Sequence, residues 1–264
     1  MKKKANTAES AEVKQKNIKK QQEVLCEKLS FAGREAYKRL RTNVLFSFAG
    51  GDGCRVIGIT SAQPSEGKST TAVNFAYSVA ELGKRVLLID GDMRKPSINT
   101  RLSFEQVPGL SNLLVGENNV GLVLNHYKSS TNETSFEVLT AGETPPNPAE
   151  LLNSRRMTKL MEKLREMFDV IVLDLPPVGA VSDAQAVSNV IDGMVVVVRE
   201  NNCPRSVLDE CITQLRFSNV KILGFVLNGS DEGGKGYGYR KYGHGYGYGY
   251  GYGYGYGKAY GNYE

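Results

Sequence analysis

The chain has 264 residues, 41% hydrophobic and 23% charged, with no tryptophan. That length suits one large domain with appendages, and no apolar run approaches the ~20 residues needed to cross a bilayer. The net charge of +5 is concentrated at one end: residues 1–22 hold seven lysines against Glu9 and Glu12, so the remainder is close to neutral.

The leader, residues 1–30, reads as a solvated basic arm. Such a charge could touch nucleic acid or anionic lipid, but with few aromatics and no apolar face a solvated arm with no nucleic-acid partner is the expectation. The residues after MKKK are polar where a signal peptide needs an apolar stretch. Four cysteines (Cys26, Cys54, Cys203, Cys211) show no CxxC spacing and no nearby histidine pair, which argues against disulfides and structural zinc. A cytoplasmic protein is the expectation.

From residue 31 to 228 apolar runs alternate with helical patterns, the signature of an α/β domain with a mostly parallel sheet flanked by helices. A helix is predicted over 34–48 and a strand over 55–60. Next comes SAQPSEGKST, residues 61–70, between that strand and a helix predicted over 68–82. Gly67-Lys68-Ser69 ends it as a phosphate-binding loop ends: glycine admits the phosphates, lysine reaches the outer ones, and serine can ligate Mg²⁺. The full GxxxxGK[ST] pattern would want glycine where Ala62 stands.

A strand over 85–90 runs out into Asp90-Gly91-Asp92-Met93-Arg94. Two carboxylates two residues apart at a strand end, beside a phosphate loop, call for a cation. A short helix over 110–114 and a strand over 136–140 follow. Pro145, Pro146 and Pro148 then mark a loop into a short helix over 149–153, and a longer helix spans 155–167. The strand over 170–174 ends in Asp174-Leu175-Pro176-Pro177, the pattern of a Walker-B carboxylate. A helix over 183–190, a strand over 194–199, a helix over 204–217 and a strand over 220–227 complete the domain. Most strands are continuous runs of Val, Ile and Leu, as for strands covered on both faces. Ligands of open parallel sheets bind at the carboxyl ends of strands, where all three motifs converge.

From 229 to 264 no core can form. Eleven of the fourteen tyrosines lie there, mostly alternating with glycine: Tyr237, Tyr239, Tyr242, Tyr246, Tyr248, Tyr250, Tyr252, Tyr254, Tyr256, Tyr260 and Tyr263. The period of two would suit an edge strand, but alternate glycines are entropically costly and pack nothing, so a disordered tail is expected. Its repeated chemical handle is a phenol that can accept a phosphoryl group.

The set of motifs resembles the bacterial tyrosine kinases of capsule and exopolysaccharide synthesis, in their form as a separate cytoplasmic subunit. Glu66-Gly67-Lys68-Ser69, the DxDxR stretch Asp90–Arg94, the DxPP of Asp174–Pro177 and the tyrosine cluster carry the resemblance, which spans about residue 30 to the C-terminus. It implies a P-loop fold, ATP and Mg²⁺, with Ser65, Glu66, Gly67, Lys68, Ser69 and Thr70 on the nucleotide and Asn228 near the base. It further implies Ser69, Asp92 and Asp174 on the metal, and Lys68 and Asp90 as catalytic groups, Asp90 facing the acceptor hydroxyl. Asp90 and Asp92 could exchange roles. The tail tyrosines would be the acceptors, and a flexible chain of about 30 residues, spanning roughly 30 Å, would reach a neighbouring subunit.

The family's ExxRxxR assembly motif matches Glu35, Lys38 and Arg41, with lysine at the middle position. A solvated Glu35–Lys38 pair is the competing reading of that stretch. A self-assembly, possible as a ring, a transmembrane activator of the polysaccharide co-polymerase type and a cognate phosphatase are the implied partners, which would bring the chain to the membrane. The rival function is a partitioning or division-site ATPase, whose loop KGGxGK[ST] places a signature lysine where this chain has Gln63. A non-catalytic Gly/Tyr-rich adhesive protein would explain the tail and none of the motifs.

Overall fold

A computed structural model describes residues 22, 24–48, 53–116, 119–179 and 186–229. The leader up to residue 21, the start of the helix expected over 183–190, and the Tyr/Gly segment with all eleven candidate acceptors lie outside the described residues.

Seven strands form one sheet: β1 (Arg55–Ser61), β2 (Val86–Asp90), β3 (Asn125–Lys128), β4 (Ser135–Leu139), β5 (Val170–Asp174), β6 (Gly193–Arg199) and β7 (Ile222–Asn228). Their spatial order is β3-β4-β2-β5-β1-β6-β7, and every pairing is parallel except β3 with β4. The P-loop-type α/β sheet read from the motifs is therefore present. Helices α1 (Phe31–Phe46), α2 (Lys68–Ala80), α3 (Ile98–Leu102), α4 (Leu110–Val115), α5 (Pro148–Leu152), α6 (Arg155–Met167) and α7 (Arg205–Phe217) connect and cover it.

Successive residues of each central strand feed opposite cores, as a pleat of period two requires. Val56, Leu87, Ile89, Ile171 and Leu173 point to the side packed by α4, α6 and α7. Ile57, Ile59, Leu88, Val172 and Val195 point to the side packed by α2. Helix α6 shows the matching helical period: Ser154 accepts the N–H of Met157 at its cap, and Met157, Leu160, Met161 and Leu164 form the buried stripe.

Three features depart from the sequence reading. Strand β3 has no apolar run, because as an antiparallel edge it buries neither face fully. At the other edge, β7 leaves Phe225 51% and Leu227 53% exposed, so the expectation of two covered faces fails there. The last part of the leader is also docked on the domain. The Cys26 N–H donates to Asn74 Oδ1 at 2.7 Å, Asn74 Nδ2 donates back to the Val24 carbonyl, and the Tyr127 hydroxyl donates to Glu27 at 2.6 Å. All four cysteines are free thiols, as expected.

Helix α1 lies against α2. Arg41 donates to the Ser78 carbonyl and stands 3.7 Å from Glu81, both on the α2 side. Glu35 and Lys38 form the exposed i,i+3 pair, at 2.8 Å. Of the three residues matched to the assembly motif, Arg41 is thus engaged within its own subunit. Arg41→Ala is expected to lower unfolding free energy by about 1.5–3 kcal/mol, the scale of a hydrogen bond to a charged group. Denaturant unfolding at low protein concentration checks this, and an unchanged midpoint would assign Arg41 to contacts between subunits.

Candidate functional site

The sheet order places β2, β5 and β1 side by side, with Asp90 opposite Asp174 and Asp174 opposite Ile59 in register. The loop after β1 and the acidic ends of β2 and β5 therefore meet at one sheet margin. Parity sets their direction. Asp90 continues the series Val86, Leu88, and Asp174 the series Val170, Val172, all on the face covered by α2. Helix α2 begins at Lys68, so its open N–H groups and the two carboxylates confront each other across the loop.

The loop is held from the rear. Glu66 is fully buried, and its carboxylate accepts from the N–H of Gln63 at 2.8 Å and of Arg199 at 3.3 Å. Asn228, at the end of β7, donates from Nδ2 to the Glu66 carbonyl at 2.9 Å. Gly67 has φ +95°, and a Cβ there would collide with the Asn228 amide, so glycine is required both by conformation and by that close approach. Glu66 and Asn228, both expected at the nucleotide, have side chains that hold the phosphate loop in shape.

At the front, Lys68 lies among carboxylates. Its ammonium is 2.9 Å from Asp92, 3.6 Å from Asp174, and donates to Ser69 Oγ at 3.3 Å. Burial works against the Lys68 charge, yet Asp174 and Asp92 outweigh it and hold its pKa above the ordinary lysine value. Asp174 is 0% exposed, and neither of its carboxylate oxygens has a hydrogen-bond partner among the described residues. Burial raises its pKa, with Lys68 and the Ser69 hydroxyl acting in opposition. A carboxylate buried this deeply without a close hydrogen bond is expensive, and oxygen ligands from Ser69, Asp92 and Asp174 suit Mg²⁺, so the residues present fit that ion.

Asp90 is a different case. Its Oδ1 accepts from the Asp92 N–H at 3.2 Å, and its Oδ2 accepts from the N–H groups of Ser97 and Ile98, each at 3.0 Å. It ties the start of α3 to the end of β2. Burial first, and Asp174 second, push its pKa up to about 7, against those N–H groups and Lys68. Asp92 lines the open cleft of about 400 Å³, together with Ser65, Gly67, Lys68 and Ser69. Gly91 closes the back of the group: its N–H donates to the Asp174 carbonyl at 2.8 Å, and a Cβ would stand 2.9 Å from that oxygen.

Lys68, Ser69, Asp90, Asp92 and Asp174 are thus brought together as the motifs implied. Thr70 stands beside them on α2, where its hydroxyl accepts from Arg101 at 3.1 Å. Arg101 and Arg199 were not foreseen, since neither belongs to a motif: Arg101 stands seven residues past the DxDxR stretch and Arg199 at the end of β6. Arg199 donates to the Ser65 carbonyl at 3.3 Å, and Ser65 carries φ +66°, a strained conformation inside the phosphate loop.

The family model of the AAA domain matches residues 54–214. Over 195 residues the chain is 38% identical to the tyrosine-protein kinase YwqD of Bacillus subtilis (strain 168), covering 74% of this chain and 80% of that protein. Identity to the tyrosine-protein kinase CpsD of Streptococcus agalactiae is 35% over 211 residues, covering 79% of this chain and 89% of that one. The solved kinase domain of the Escherichia coli tyrosine kinase ETK matches with a TM-score of 0.71 at 30% identity, over 83% of this chain and 80% of that one.

Proposed function

Because the chain belongs to the bacterial tyrosine kinases of capsule and exopolysaccharide synthesis, and is a protein-tyrosine kinase, we propose that it transfers the γ-phosphoryl group of ATP to tyrosines of its own C-terminal segment. One observation carries the chemistry: the Lys68 ammonium sits between Asp92 and the fully buried Asp174 at the head of α2. The ATPase reading is not favoured, since relatives at this level of identity carry kinase names and no signature lysine stands at Gln63.

Phosphoryl transfer asks the protein for positioning and charge neutralisation more than for covalent chemistry. The backbone from Ser65 to Thr70 and the open end of α2 cradle the phosphates. Mg²⁺, held by Ser69, Asp92 and Asp174, would neutralise charge on the phosphates. Lys68, relieved of its two carboxylate partners, turns its ammonium to the outer phosphate oxygens. The donors on Asp90 make it the residue that positions the turn from Asp92 to Ser97, and Asp92 at the cleft wall faces the incoming tyrosine hydroxyl. Asp92 thus takes the acceptor role that the resemblance gave to Asp90 and keeps its own role on the metal, while Asp90 becomes a positioning residue.

The acceptors are tail tyrosines from Tyr237 to Tyr263, reached in trans within an assembly of this chain. Among the described residues no helix is long and apolar enough to cross a membrane, so recruitment there would rest on a membrane-spanning activator. A phosphatase would reset the tail. The test uses purified protein with Mg-ATP and anti-phosphotyrosine detection, alone and with peptides from candidate activators. Mixing Lys68→Met protein with a chain truncated after Gly229 should place phosphotyrosine on the Lys68→Met partner's tail. Phosphorylation only where kinase and tail share one chain would exclude transfer in trans, and ATP hydrolysis without phosphotyrosine under every condition would overturn the kinase assignment.

A further inference from the structure

Outside the three motifs, two more cations line the cleft, Lys95 and Arg101, and Arg101 also reaches the helix that follows the phosphate loop. Arg101 lies on α3, thirty-odd positions from the phosphate loop, and its side chain lines the same cleft as Gly67, Lys68 and Ser69. Its Nη1 donates to Thr70 Oγ1 at 3.1 Å, and its Nε stands 3.4 Å from Ser97 Oγ. Asp174 and Asp90 are the charges that act on it. A guanidinium carries five N–H donors and stays charged in proteins. Two are used on Thr70 and Ser97; among the described residues the other three make no hydrogen bond within the chain.

The local charge balance gives this placement a purpose. Within the motifs Lys68 meets Asp92 and Asp174 directly, at 2.9 and 3.6 Å, and Arg94 also lines the cleft. In transfer, negative charge spreads over the three peripheral oxygens of the moving group, and a single flexible ammonium meets them as a point charge. A planar fork can meet two oxygens at once.

The anchoring of Arg101 is also unusual for a surface arginine. The helix that carries it hangs from Asp90 through the Ser97 and Ile98 N–H groups. At its other end, the Gln22 side chain donates to the Thr100 carbonyl and to Ser103 Oγ. Arginine held this way loses little further freedom when a phosphate arrives.

We propose that Arg101 is a catalytic residue of this kinase, supplied within the same chain, whose guanidinium contacts the transferring phosphoryl group together with Lys68. The proposal rests on the reading of this cleft as the ATP site. No bond is made to Arg101; it offers N–H donors to oxygens whose charge is greatest midway through transfer, so its contribution falls on kcat more than on nucleotide affinity.

The test compares wild type with Arg101→Ala, Arg101→Gln and Arg101→Lys in two assays. The first measures binding of a fluorescent ADP, with Mg²⁺, before and after addition of aluminium fluoride, which mimics the phosphoryl group in flight. The expected result is that Arg101→Ala and Arg101→Gln weaken the fluoroaluminate complex at least about tenfold while ADP affinity changes less than about threefold, in line with a donor to a charged transition state. The second measures tyrosine-peptide phosphorylation: kcat falls about a hundredfold or more, KM for ATP stays within about threefold, Arg101→Lys keeps part of the rate, and added guanidinium restores part of it to Arg101→Ala.

Equal weakening of ADP and of its fluoroaluminate complex would make Arg101 a structural link between α2 and α3 and overturn the proposal. So would unchanged kinetics, or a wild type that gains no affinity from aluminium fluoride. Arg101→Gln keeps donors for Thr70, so it separates loss of charge from loss of packing if Arg101→Ala folds poorly. The binding assay needs no acceptor. A wild type that shows the fluoroaluminate effect but makes no phosphotyrosine would therefore defeat the kinase assignment and leave the role of Arg101 standing.

Discussion

Lys68→Met should lower phosphotyrosine formation by at least about a thousandfold, the upper range for losing one preorganised donor to developing charge. The loss follows from the double use of this side chain. In the structure its ammonium neutralises Asp92 and Asp174, and in the reaction it serves the phosphates. Methionine keeps much of the length and removes the charge. The same substitution has a second, opposite consequence. With the ammonium gone, the cation in direct contact with the two carboxylates no longer competes for them, so Mg²⁺ should bind the nucleotide-free variant more tightly than the nucleotide-free wild type. Calorimetric titration with Mg²⁺ checks this. Equal or weaker binding would show that Lys68 does not occupy the place the cation takes, and activity within tenfold of wild type would remove Lys68 from the chemistry.

Asp174→Asn should lower transfer at least about a hundredfold below wild type while making the metal-free protein more stable, because the amide carries no charge that burial must desolvate. The gain has a specific source. Asp174 is fully buried, and burial raises its pKa against the opposing Lys68 ammonium and Ser69 hydroxyl, so its ionised form is the one the fold disfavours. An amide of the same shape carries no charge to desolvate, and Lys68 keeps its closer partner Asp92 at 2.9 Å.

A pH dependence accompanies this. A carboxyl group whose pKa the fold raises retains its proton after the unfolded chain has released its own, so the folded form binds more protons in that window and stability falls as pH rises. For the metal-free wild type the fall runs from the ordinary carboxylate range up through about 7, where Asp90 titrates. Asp174 is the largest charged contributor to the Asp90 shift, so Asp174→Asn should flatten the slope, as should saturation with Mg-ATP. Thermal unfolding between pH 5 and 8 without metal provides the measurement. A variant no more stable than wild type at pH 7.5 would mean that Asp174 is not strained in the resting protein.

These two substitutions lie at residues that the linear sequence already singled out. The phosphate loop, the paired aspartates and the DxPP stretch are each contiguous, and each follows an apolar run long enough to be a covered strand. The arrangement of Asp90 and Asp174 on one face followed from strand parity once the strands were placed. The tyrosine cluster was equally plain, because a segment of alternating glycine and tyrosine can build no core and offers only its hydroxyls. Where the local signal was weak the reading failed: β3, with its sequence Asn-His-Tyr-Lys, is a strand only because β4 pairs with it.

What the sequence determined by itself was the set of groups at the site, namely a lysine, a serine and three carboxylates at the ends of buried strands, with a tyrosine-rich segment on the same chain. The tertiary structure decided which of those groups face the cleft and which hold it in shape. Asp90 is caged by three backbone N–H groups, Glu66 and Asn228 pin the loop from behind, Arg41 binds α1 to α2, and Arg101 enters from a helix that no motif marks. The physical reason is one of range. A motif is legible when its donors and acceptors are close in sequence and share one backbone geometry. A single side chain that meets its partner across thirty or more residues leaves no periodic trace, and only the packed sheet and its helices bring the two together.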